Sequence, residues 1–135
     1  MYTLSKNSLK ALEGVDGRLQ KVVRRALSMS KIDFGIPSTG GLRSDIQQNK
    51  LFLAGKSKAD GYTHKSRHQP NLKGKSEAVD FYAYVDGKAS WEPEHLAQVA
   101  ATLLQAAIEL NIKIKWGGLF RSFTDMPHIE LIIKD

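Results

Sequence analysis

The sequence predicts an α+β fold: a small antiparallel sheet with helices packed on one side. Three observations predict it. Short apolar or alternating runs stand at "AVDFYAYV" (78–85), "IKIKW" (112–116) and "HIELII" (128–133), each of strand length. Two longer segments, 16–29 and 90–111, place apolar residues at helical spacing. The 135 residues, 41% of them hydrophobic, suffice for one ordinary domain with a real core.

The elements follow in order. Asp16 is positioned to cap a helix over 16–29, with Leu19, Val22, Val23, Ala26 and Leu27 inward. Arg18, Lys21, Arg24 and Arg25 form its basic outer face, either a solvated surface or a stripe that contacts phosphates. "IDFGIPS" (32–38) reads as a short strand, punctuated by Gly40-Gly41. A second helix is expected over 43–55, with Ile46, Leu51 and Phe52 inward and Gly55 as its stop. Residues 56–77 are polar and aperiodic, and a loop of that length in a compact domain is often functional. After the strand at 78–85, Asp86-Gly87 makes a turn. The strongest helix then spans 90–111. Ser90 is its expected cap and Pro93 suits its first turn, with Leu96, Val99, Ala100, Leu103, Leu104, Ala107 and Ile108 buried.

Composition excludes several chemistries. There is no cysteine, so disulfides, thiol nucleophiles and thiolate metal sites are out. The net charge of +6 favours a polyanionic partner or simply a solvated basic surface. No apolar run is long enough to span a membrane, and the N-terminus lacks the apolar core of a secretory signal. Any metal site must be built from carboxylates and from His64, His68, His95 and His128. His95 falls on the solvent side of the long helix.

One stretch sharpens this. In "SFTDMPHIELII" (122–133) a histidine, His128, heads a strand, with Asp125 three residues before it. Asp80 lies inside another strand between apolar neighbours, where an unpaired carboxylate is costly to bury. It needs a partner: a metal ion, a salt bridge or a loop that it caps. His68, in the loop feeding that strand, completes a possible two-histidine, one-aspartate set. Such a set leaves a fourth zinc position open for water, and zinc makes that water acidic. Asp125 is then placed to act as the base. The same set can hold non-haem iron, though no sign of an oxygenase barrel accompanies it.

These residues resemble a family: the zinc peptidases of bacteriophage endolysins that cut the L-alanyl-D-glutamate bond of peptidoglycan, relatives of the D-alanyl-D-alanine carboxypeptidases and dipeptidases. "SRH" supplies Ser66 and His68, "EAVD" supplies Asp80, and "DMPHIEL" supplies Asp125 and His128. "GLRSDIQ" supplies Arg43 and, four residues on, Gln47; "WGGLF" (116–120) resembles a segment of the endolysin branch. The resemblance covers nearly the whole chain. One departure stands out: His68 and Asp80 are twelve residues apart, a longer step than is usual in the family, and the family's glycine falls on Ser76. His64 lies nearby, but His68 carries the Ser-x-His context. The inserted residues are expected to bulge over the rim of the site.

The resemblance implies His68, Asp80 and His128 as ligands of a Zn2+ cofactor at the sheet edge, and Asp125 as general base. It implies Arg43 as the group that binds substrate or stabilises an oxyanion, and Ser66 as a substrate contact. It further implies one catalytic domain over 1–135 with no separate wall-binding domain. The enzyme would be a monomer made in the host cytoplasm and released through a holin-type pore to act on peptidoglycan in the periplasm, without membrane insertion. Two other functions stand beside this one: a D-alanyl-D-alanine carboxypeptidase or dipeptidase using the same site, and a basic nucleic-acid-binding domain using the 16–29 helix. No nucleic-acid-binding motif supports the last.

Overall fold

A computed structural model describes residues 2–133. Its elements run α1 (Lys6–Leu12), α2 (Gly17–Met29), β1 (Asp33–Gly35), α3 (Asp45–Leu53), β2 (Ala78–Asp80), β3 (Tyr82–Val85), β4 (Lys88–Ser90), α4 (Pro93–Glu109), β5 (Ile114–Trp116), a 3-10 turn (Gly117–Leu119) and β6 (His128–Leu131). The fold is α+β, and all strand pairs are antiparallel. No helix among the described residues is long and apolar enough to cross a membrane.

The core is built by α2 and α4, which pack on each other, with α4 also against β3 and β5. Leu19, Val22, Val23 and Ala26 meet Val99, Ala100, Leu103 and Ala106, all fully buried. Asp16 caps α2 as expected, accepting a 2.9 Å bond from the Arg18 amide. The buried stripe of α4 is narrower than its apolar sequence suggests, and Ile108 is 73% exposed.

Three expectations fail for physical reasons. The run 78–85 is two strands, not one. Asp80 ends β2 and Tyr82 begins β3, and the two strands belong to different three-stranded sheets, ordered β2-β6-β5 and β1-β3-β4. Phe81, fully buried, carries the chain from one sheet to the other, its amide donating to the Pro127 carbonyl at 2.8 Å. Ser90 does not cap α4; it closes β4, and its hydroxyl lies 2.7 Å from His95 Nδ1. Helix α4 instead starts at Pro93 with Glu92 before it, in keeping with the preference of proline for a first turn.

The third failure is α3. Ile46 and Phe52 point outward, and the helix's only buried residue is Gln48. Gly55 does stop it, at φ +74°, a conformation that favours glycine. The inserted segment also departs from expectation. Asn71 folds it into a tight turn by accepting from the Lys73 and Lys75 amides. Ser76 then pairs with Gly14 and Asp16 through backbone bonds of 2.9 and 2.8 Å. The segment packs beside the start of α2, and none of residues 70–77 lines the cleft described below.

Candidate active site

Antiparallel pairing brings the first two functional side chains together. Asp80 ends β2, His128 opens β6, and the register sets them directly opposite. Cross-strand partners lie close enough for both side chains to reach one point. The site stands at the end of this ladder, with His128 on the central strand of its sheet. His68 comes from the long loop and is held at both ends: its carbonyl accepts from the Arg43 amide at 2.9 Å, and its Nδ1 lies 2.9 Å from the Gly41 carbonyl.

His68 Nε2 and His128 Nδ1 both lie 3.1 Å from Asp80 Oδ1. One ligand atom from each of the three residues falls within 4.8 Å of the others. Both histidines are buried. His64, exposed on the cleft wall, is not part of this group.

The donor chemistry fits a divalent cation. The outer nitrogen of each ring already faces an acceptor: the Gly41 carbonyl for His68 and Glu130 Oε1, at 2.8 Å, for His128. With a cation bound, those acceptors would keep a proton on the outer nitrogens and leave the inner ones to face the ion, the usual way a protein orients metal-binding histidines. Two imidazole nitrogens and one carboxylate oxygen suit zinc and leave a position free.

The electrostatics of the bare cluster follow from the same contacts. Burial pushes the Asp80 carboxyl up, but the charge and hydrogen bonds of the two histidines outweigh it and hold the group well below the usual carboxylate range. Burial pushes His128 down, yet its bonds to Asp80 and Glu130 win and raise it from 6.5 to about 9. Asp125 differs: burial raises its carboxyl, and the attraction of His128 does not cancel this. Its Oδ2 lies 3.8 Å from His128 Nδ1, beside the point on which the three ligands converge.

The glycine motifs support these residues. Gly40 and Gly41 offer adjacent carbonyls, one to the Asp80 amide at 2.8 Å and one to His68 Nδ1. A side chain at position 41 would collide with the Ala11 carbonyl. In "WGG", the Gly117 carbonyl accepts from the Asp125 amide at 2.9 Å, and Trp116 Nε1 donates to the Met126 carbonyl at 2.7 Å. A Cβ on Gly117 would strike the Asp125 carbonyl. The motif thus fixes the loop that presents Asp125.

Arg43 is buried and is not among the residues lining the cleft. Its Nε donates to the Thr39 carbonyl at 2.7 Å, one terminal nitrogen to Gln48 Oε1 at 3.0 Å, and the other to Asp80 Oδ2 at 2.8 Å. Arg43, expected from the sequence to bind substrate or stabilise an oxyanion, thus reaches the site through Asp80. Its glutamine partner is Gln48, fully buried, and not Gln47, whose side chain closes a capping box with Ser44. Ser66 does line the cleft, and its Oγ accepts from the His68 amide at 3.2 Å.

The cleft has a volume of about 530 Å³. It is lined by residues 55–59 and 64–68, by Phe120, Phe123, Thr124 and Asp125, and by His128 and Glu130. The sequence reading missed Glu130 as a partner of His128, Gly41 as a partner of His68, and Gln48. For Glu130 a signal existed: in a strand, positions 128 and 130 share a face. For the Gly41 carbonyl there was none.

Fold and site together define a small α+β protein with a potential two-histidine, one-aspartate metal centre in an open cleft. The family profile described as phage L-alanyl-D-glutamate peptidase matches residues 1–132, and the chain belongs to that family. The L-alanyl-D-glutamate peptidase of Escherichia phage T5 is 31% identical over 147 residues, covering 97% of this chain and 98% of that protein. The peptidoglycan L-alanyl-D-glutamate endopeptidase CwlK of Bacillus subtilis (strain 168) is 27% identical over 137 residues, covering 95% and 81%. The crystal structure of the Serratia marcescens L-Ala D-Glu endopeptidase ChiX matches with a TM-score of 0.78 and 36% identity, covering 96% of this chain and 90% of that one.

Proposed function

We propose that this protein is a zinc-dependent endopeptidase of phage-endolysin type that hydrolyses the L-alanyl-D-glutamate bond of peptidoglycan. One observation carries the reading: the inner nitrogens of His68 and His128 and one oxygen of Asp80 converge beside the free carboxylate of Asp125. Family membership supplies the substrate class.

His68, Asp80 and His128 would hold the ion. The chemistry a zinc ion would supply there is an acidified water molecule and a polarised carbonyl oxygen. Asp125 takes the proton of the attacking water and passes it to the nitrogen of the departing glutamate. Arg43 orients Asp80 through its bond to Oδ2, and Glu130 orients the His128 ring. The Ser66 hydroxyl, whose oxygen already accepts from His68, keeps its own hydrogen to donate to the peptide.

In this reading residues 1–135 form one catalytic domain that works as a monomer. It is made in the host cytoplasm and reaches the wall through a holin-type pore. The positive surface raises encounter with an anionic wall. A nucleic-acid role for α2 is weakened by its ion pairs: Arg18 is held by Asp16 at 3.0 Å and Arg25 by Glu109 at 2.6 Å.

The test is mass spectrometry of purified peptidoglycan after digestion, with and without a chelator. New glutamate N-termini that vanish with chelator are expected. Loss of terminal D-alanine alone would instead establish the carboxypeptidase activity, and no cleavage by the zinc-loaded protein would overturn the peptidase reading.

A further inference from the structure

A glutamate residue inside a peptide has two carboxyl carbons. One carries the chain onward; the other is a free carboxylate or is amidated. The cleft is lined by the carboxylates of Asp125 and Glu130 and by Lys56, Lys58, Lys65 and Arg67, and a free carboxylate entering it pairs best with a cation that no protein carboxylate holds. The cations lining the cleft are not equivalent. Arg67 is committed to Glu77 at 3.0 Å and to Glu130 at 3.6 Å, and Lys65 approaches Asp45 at 3.5 Å. Lys56 and Lys58 have no ion-pair partner among the described residues.

Lys58 differs from Lys56 in two ways. Its ammonium lies 5.0 Å over the ring of Phe123, a contact that favours this placement. Phe123 meets Phe120 edge-on at 5.5 Å, and Phe120 faces His128 at 5.7 Å. An aromatic strip therefore leads from the metal-site histidine to this ammonium. The backbone around Lys58 is also pinned. Gln48 Nε2 donates to Ser57 Oγ and to the Ala59 carbonyl, both at 2.8 Å, on either side of Lys58. Gln48 Oε1 accepts from Arg43, and Arg43 holds Asp80. An unbroken chain of hydrogen bonds thus ties the segment bearing Lys58 to Asp80.

We infer that Lys58 is a specificity residue of this cleft, its ammonium pairing with the free carboxylate of the substrate's glutamate while the peptide lies along Phe120 and Phe123. The inference rests on the endopeptidase reading above. Glutamate belongs to the leaving half of the substrate, so the contact acts on binding and leaves the proton transfers to Asp125.

Two synthetic stem peptides test it, identical except that the glutamate carboxyl is free in one and amidated in the other. The zinc-loaded protein is expected to cleave the free acid with a kcat/KM about tenfold higher, the size of one charge-assisted contact at a partly exposed site. Lys58→Met should remove that preference through KM while leaving the amidated peptide within about twofold. Lys58→Arg should keep it. A readout independent of turnover is peptide affinity by calorimetry in an Asp125→Asn background, where adding Lys58→Met should weaken only the free acid. Equal loss on both peptides, or no loss on either, overturns the inference. If the parent protein cleaves neither peptide at the alanyl–glutamate bond, the endopeptidase reading itself has failed and this inference falls with it.

Discussion

The two halves of this molecule are held by different forces. Helices α2 and α4 meet through fully buried Leu, Val and Ala side chains, and that contact is apolar and non-directional. Helix α3 and the loop beyond it have almost no apolar interior. Ile46 is 64% and Leu53 75% exposed, and the helix is anchored by Gln48, whose side chain bonds to Arg43, Ser57 and Ala59. A polar network holds in only one arrangement, because each unmet buried bond costs about 1–3 kcal/mol. The candidate site draws on the second kind of order.

The sharpest separation of the halves is kinetic. Asp125→Ala should lower kcat by about 10²–10⁴-fold, with bound zinc and unfolding midpoint unchanged. Steady-state kinetics on a stem peptide, with metal analysis on the same sample, would check it. Turnover near that of the parent protein would move the base to Glu130. The mirror experiment is Leu103→Ala, in the middle of the α4 stripe. It should cost about 2–5 kcal/mol in urea unfolding yet leave kcat of the folded protein within about twofold. A large drop in kcat for the folded variant would show that the two halves are mechanically coupled.

That contrast also explains what could be read from the sequence. Helix α2 and its Asp16 cap were legible because a buried apolar stripe leaves a 3.6-residue period. The same rule misled at α3, where the buried position is a glutamine and the apolar residues face water. The split at Phe81 was invisible, since a buried residue that changes sheets looks like any other in an apolar strand. His68, Asp80, Asp125 and His128 were legible as a motif, and the geometry brings them together. The partners that orient them were harder to see. Gly41 acts through its carbonyl, which carries no side-chain signal, and the burial of Arg43 is not visible in a motif.

The polar half should also respond to pH where the apolar half does not. In metal-free protein His128 is raised from 6.5 to about 9, so its contribution to stability is complete below pH 6.5 and is lost as pH rises through about 9. The full difference is worth about 3 kcal/mol. Urea midpoints of chelator-treated protein should fall across this window. With saturating zinc the fall should shrink, because metal binding takes the place of the proton on that ring. Equal slopes with and without zinc would mean that His128 does not bind the ion.

The smallest expected effect lies at the link between the site and its supports. Glu130 Oε1 holds His128 Nε2 at 2.8 Å, and Oε2 lies 3.6 Å from Arg67. Its carboxyl is lowered: burial pushes it up, but the bond and charge of His128 outweigh that. Glu130→Gln keeps an oxygen able to accept from Nε2 but removes the charge that makes the ring a stronger donor to the metal. Zinc affinity should fall about tenfold, at the lower end for partners of metal-binding histidines, while kcat at saturating zinc stays within about twofold. A competition titration with a chromophoric chelator, alongside kinetics at saturating zinc, separates the two quantities. A fall in kcat of two orders of magnitude with zinc fully bound would make Glu130 part of the proton transfer and leave Asp125 as a neighbour held in place by Gly117.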